Sequence, residues 1–197
     1  ADHLWEGNVD TDGDGTPDKL VNGWNFVANN SDITDDFGHG THCAGIVCGD
    51  GTSGNTTGVA PDAYLMTVKT INRAGGGSVA NMLSGVQFAV ENGAQVLSMS
   101  LGYKNDQITK EQKEDIRKAF DNVLELGVVV CAAVGNDGNA YGAPDNVDYP
   151  AACPAPWSHP DQTLKGGLSS VIAVGAHDLK ESSIGPLTWE GTSYNDY

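Results

Sequence analysis

Basic residues are scarce in this chain: 10 Lys and Arg stand against 26 Asp and Glu, a formal net charge of −16. A field of that sign repels nucleic acid and anionic membrane and attracts cations, so neither of the first two is expected as a partner. The same charge also keeps a protein soluble. Long hydrophobic runs are missing too. The longest, residues 128–134, is of strand length, so no membrane span is expected. The four cysteines, Cys43, Cys48, Cys131 and Cys153, have no zinc-type spacing. His39 and His42 stand three apart, but the glutamate of an HExxH zinc motif is lacking. A secretory leader is not seen either: the opening "ADHLWEG" is polar and acidic, and is expected to be the interior of a longer chain.

What is present suits one globular α/β domain, or most of one. The chain has 197 residues, 39% of them apolar, and 26 glycines. Strands are expected over 64–71, 96–101, 128–134 and 170–176 from their apolar runs. Ser78 can cap a helix with apolar Val79, Met82, Leu83, Val86 and Val90 that ends near Gly93. Thr109 and Gln112 suggest a capping box for a helix whose apolar positions are Ile116, Phe120, Val123 and Leu124. Cys131, inside its strand run, reads as a buried thiol. This alternation implies a parallel sheet with helices on both faces, and functional groups in loops beyond the strands' carboxyl ends.

Residues 1–22 form an acidic loop region, and 23–197 are expected to be the core. In "DTDGDGTPD", Asp10, Asp12, Asp14 and Asp18, with Gly15 at the turn, match the first two-thirds of a calcium loop. Val21 stands where the bidentate glutamate belongs. A short Ca2+-binding aspartate loop and a solvated acidic turn both remain open.

Four segments occur in order: "GHGTHCAGIV", "TTGVAPDAYLMTVKT", "LSMSLG" and "AAVGNDG". Together they resemble the subtilisin-like serine peptidases (subtilases), and the likeness runs from Gly23 to Ala176. It implies a three-layer subtilisin-like fold, a mainly parallel sheet between helices. It makes His39 the general base and His42 a supporting residue. It makes Asn136 the donor to the oxyanion, although an asparagine after a strand is by itself an ordinary turn residue. Extended peptide or protein substrate would be held by the main chain of Gly75, Gly76 and Gly77 and of Ser100, Leu101 and Gly102. Ala133 and Gly135 would line the primary specificity pocket, with Leu101 and Gly102 near its rim. Small residues there imply tolerance of large apolar side chains.

The family also needs an aspartate and a serine. Asp10 is followed by a threonine but is not preceded by a buried strand. Ser193, in "GTSYNDY", lacks the small residues, proline and helix that follow the family's nucleophile. The fold is therefore expected to be incomplete at both ends, without the nucleophile and the triad aspartate, and inactive alone. Exposed apolar surface would then favour self-association or binding of the missing fragments. Cys43 is expected to face the core rather than to attack. An extracellular destination follows from the resemblance. The alternatives are a non-catalytic peptide-binding module and an acidic calcium-binding structural domain.

Overall fold

The computed structural model describes residues 20–49, 51, 57–136, 147–153 and 170–175. They belong to two compact units, one within Ala1–Ala94 and one within Gln95–Asp196. Each is α/β with parallel strand pairing, the class the sequence implies. Residues 1–19, and with them most of the acidic loop region, lie outside the described residues.

The first unit contains β1 (Leu20–Asn25), α1 (His39–Cys48), β2 (Leu65–Lys69) and α2 (Val79–Glu91). β1 runs parallel to β2, with Gly23 opposite Thr67 and Trp24 opposite Val68. A Cβ at Gly23 would stand 2.6 Å from the Thr67 carbonyl oxygen, so this strand pairs closely only because the position has no side chain. α2 starts where expected: Ser78 Oγ accepts the Asn81 N–H, and Val79, Met82, Val86 and Ala89 are buried at helical spacing. Gly85 shares that face. A Cβ there would meet the Thr70 and Val68 side chains at 2.8 Å, so the helix rests tightly on the end of β2.

The second unit contains β3 (Val96–Met99), α3 (Lys110–Glu125), β4 (Val129–Ala133) and β5 (Ile172–Val174). The strand order is β3-β4-β5, all parallel. The capping box at Thr109 and Gln112 is complete, and Ile116, Phe120 and Val123 are buried. Leu97, Met99, Val130 and Ala132 are buried on one sheet face, while Val96, Val129, Ile172 and Val174 face outward. Register explains this, because Val96 pairs with Val129 and Leu97 with Val130, and alternate side chains share a face. Cys131 lies opposite Ser98 on the outward face and is half-buried, which corrects the reading of it as a core thiol. Cys48 and Cys153 are the buried ones, and burial pushes the Cys153 thiol up to about 12. Among the described residues no helix is long and apolar enough to cross a membrane.

Phe120, with no exposed surface, anchors α3, whereas Leu126 at the end of that helix is 68% exposed. Phe120→Ala should therefore cost about 3–5 kcal/mol of unfolding free energy. Leu126→Ala should stay within about 0.5 kcal/mol. Urea denaturation followed by circular dichroism measures both.

Candidate functional site

In the first unit the chain leaving β1 is tied down before it reaches α1. Asn25 is buried, and its amide does three jobs. Nδ2 donates to the Asp32 carbonyl at 2.7 Å, and Oδ1 accepts the Val27 and Ala28 N–H groups at 2.9 Å each. Lys69, the last residue of β2, donates from Nζ to the Thr34 carbonyl at 2.7 Å and to Asp36 Oδ1 at 2.8 Å. The segment between these ties is Asp35's.

α1 begins with a helix start that cannot cap itself. Gly38, the N-cap, has φ 95° and no side-chain oxygen to offer. Asp35 supplies the acceptor from three residues upstream. Its Oδ1 accepts the N–H groups of Gly38 (2.8 Å) and Phe37 (3.0 Å). Its Oδ2 accepts the N–H (2.8 Å) and the hydroxyl (2.7 Å) of Thr41. One carboxylate thus satisfies donors that the helix leaves orphaned, and it adds negative charge at the positive end of the helix dipole. These donors, the Gly38 N–H foremost, hold the Asp35 carboxyl far below the usual carboxylate range.

His39 is the first residue of α1 and half-buried. One turn later, the half-buried Cys43 places its Sγ 3.9 Å from His39 Nε2. His42 is exposed. Beyond β2, Gly75 has φ 78°, and the loop closes on Asn72: its Oδ1 accepts the Ala74 and Gly76 N–H groups. The Gly76 carbonyl accepts the Asn72 N–H, and the Gly75 N–H donates to the Asn72 carbonyl. Much of the main chain at Gly75 and Gly76 is therefore committed within the loop. Gly77 instead lies against the chain just beyond β2, where a Cβ would meet the Thr70 carbonyl oxygen at 2.6 Å.

In the second unit Ser100, Leu101 and Gly102 continue from β3. Ala133 ends β4, and Gly135 and Asn136 follow it. Gly135 has φ 97°, which turns the chain out of the sheet, and leaves Asn136 exposed. A third segment is stitched to both exits. The Asp148 N–H donates to the Val134 carbonyl at 3.0 Å, and Tyr149 and Tyr103 exchange N–H···O bonds of 2.9 Å in both directions. The side chain of Asp148 packs on both glycines. A Cβ at Gly102 would stand 2.6 Å from Asp148 Cβ, and one at Gly135 would stand 2.5 Å from Asp148 Oδ2.

One acidic residue in each unit thus organises its candidate segments, Asp35 in the first and Asp148 in the second, and no sequence motif marks either. An aspartate three residues ahead of a glycine N-cap is a capping signal that could have singled out Asp35. Nothing local marks Asp148, which meets its glycines only through tertiary pairing. Asp10, Asp12, Asp14, Asp18 and Ser193 lie outside the described residues. Among the described residues no group of three or more His, Cys, Asp or Glu could hold a metal ion.

Asp35 is ionised more readily in the folded chain than in the unfolded one, so the stability it lends is present above the ordinary carboxylate pKa, about 4. That stability is lost as pH falls from there through the depressed folded value. Asp35→Ala should cost about 1 kcal/mol, the scale of a lost helix cap at an exposed site. It should also flatten the acid limb of a stability–pH profile. Amide NMR of residues 38–42 over an acid titration reads the same opening locally.

Comparison with known proteins adds identity to this geometry. Subtilisin DY of Bacillus licheniformis is 37% identical over 165 residues, covering 83% of this chain and 52% of that protein. Thermitase of Thermoactinomyces vulgaris is 37% identical over 136 residues, 68% of this chain and 44% of that one. The major intracellular serine protease of Bacillus subtilis (strain 168) is 34% identical over 139 residues, 68% of this chain and 42% of that one. The crystal structure of a cold adapted subtilisin-like serine proteinase superposes with a TM-score of 0.53 at 29% identity, covering 68% of this chain and 44% of that chain. The chain spans about half the length of the curated relatives it matches. The model of the Subtilase family matches residues 4–196, nearly every position, and the chain belongs to that family.

Proposed function

We propose that this chain carries the central part of a subtilisin-like serine endopeptidase that hydrolyses peptide bonds through an acyl-enzyme. The observation that carries the reading is His39 at the first position of a helix whose start Asp35 clamps. A general base needs a fixed orientation, and four hydrogen bonds to one carboxylate hold the turn from which the imidazole projects. In the proposed reaction His39 takes the proton of the serine hydroxyl during attack and returns it to the leaving amine. Asn136 donates its side-chain amide to the oxyanion that develops. The segments around Gly77 and Ser100–Gly102 offer main chain to an extended peptide or protein substrate.

The nucleophilic serine and the orienting aspartate are taken to lie outside these 197 residues, because Ser193 and Asp10 lack the required surroundings. A Ca2+ ion on Asp10, Asp12, Asp14 and Asp18 is part of the proposal and rests on their sequence pattern alone. An extracellular destination is proposed from the family resemblance, with the acidic balance and that loop in support. The relatives include both an extracellular protease and an intracellular one, each so named.

The test is fluorophosphonate labelling of the native protein that contains this chain, read by denaturing mass spectrometry. Label is expected on a serine outside residues 1–197, and kcat should fall by about four orders of magnitude or more in His39→Ala. Asn136→Leu should lower kcat by about 10²–10³ with KM little changed. Both magnitudes are borrowed from subtilisin itself. Absence of label, or activity that survives His39→Ala, would sink the reading.

A further inference from the structure

The space that glycine leaves at 102 and 135 is not empty. Asp148 fills it. The carboxylate is brought there by main-chain bonds on two sides, from Asp148 to Val134 beyond β4 and from Tyr149 to Tyr103 beyond β3. Tyr149 leads into a cis bond to Pro150, whose side chain is fully buried, so the segment is anchored as well as paired. Asp148 itself is only half-buried. It stands where two adjacent parallel strands release their chains, the place at which open α/β sheets take ligands. A side chain at either glycine would collide with it.

We infer that Asp148 is the specificity-determining residue of this peptidase, selecting peptides with Lys or Arg on the acyl side of the scissile bond. The inference rests on the proposed peptidase function and names its substrate class. An apolar side chain seated against Gly102 and Gly135 would desolvate a carboxylate without returning a donor, which is unfavourable. An ammonium or guanidinium returns a charge-assisted hydrogen bond. The aliphatic stem of Lys or Arg can lie along Leu101 and Ala133 while its head reaches the acid. The small residues that in sequence suggest room for large apolar groups therefore frame a cation site.

The experiment uses the isotopically labelled chain itself. Blocked tetrapeptides that differ only in the last residue, Lys, Arg, citrulline, Leu or Phe, are titrated, and amide shifts of residues 100–102, 133–136 and 148 are followed by NMR. Lys and Arg peptides should bind at least about tenfold more tightly than the citrulline, Leu and Phe peptides. That difference should collapse in Asp148→Asn and in Asp148→Ser. It should persist in Asp62→Asn, which removes one exposed charge elsewhere and controls for the acidity of the chain. Amide dispersion shows whether each variant has folded. Equal binding of all five peptides overturns the inference and leaves the peptidase reading standing. A basic preference that survives both Asp148 variants does the same. No shift at 100–102 with any peptide overturns both.

Discussion

Parallel pairing is the constraint on which the placement of the described candidate residues depends. In each sheet the strands point the same way, so each strand releases its chain at the same end. Within each unit, residues that follow strands are then gathered by topology, without any need for them to be near in sequence. Asp35 and His39 follow β1, and Gly75, Gly76 and Gly77 follow β2. Ser100, Leu101 and Gly102 follow β3, and Gly135 and Asn136 follow β4. In the second unit the result is direct: the exits of β3 and β4 lie close enough for one short segment to bond to both.

The start of α1 shows how one local choice forces another. The turn into that helix needs a left-handed residue, which favours glycine at 38. Glycine then leaves the first helical donors without a cap, and an acid from upstream must replace it. Asp35 can do so only if the chain before it is held, and Lys69 and Asn25 hold it by bonds to residues 27–36. The position of His39 therefore depends on a relay that begins in the two strands.

Much of this was legible in the sequence where local rules decide. α2 and α3 can be read from Ser78, from the Thr109–Gln112 box and from apolar spacing, because capping and burial of one face act over a single turn. β4 can be read from its continuous apolar run, though it ends at Ala133, ahead of the positive-φ Gly135. β1 cannot. Asn22, Gly23 and Asn25 are poor strand formers, and only the close approach of Thr67 makes the glycine an asset. The half-exposed setting of Cys131 is not legible, because an apolar run shows hydrophobicity but not which sheet face is covered. Asp35 sits among other acids in "SDITDDFG", and its choice as the cap is made by backbone geometry. Asp148 is invisible for a stronger reason: its neighbours are set by strand register, and no pattern within its own loop refers to them.

The glycines illustrate why such residues mislead when read as vacant space. Those at 38 and 75 have positive φ and nothing within 4 Å of a built Cβ, so their role is conformational. Gly23 is required by a neighbouring carbonyl, and Gly85 by the side chains of Val68 in β2 and Thr70 just beyond it. At 102 and 135 the occupant is a carboxylate, and that changes the chemistry of the place entirely. The absence of a side chain makes room, but the structure decides who uses it. Where the user is charged and still half-exposed, the same two glycines that would admit an apolar group make it an unfavourable guest, because burying the acid beside it gains no hydrogen bond.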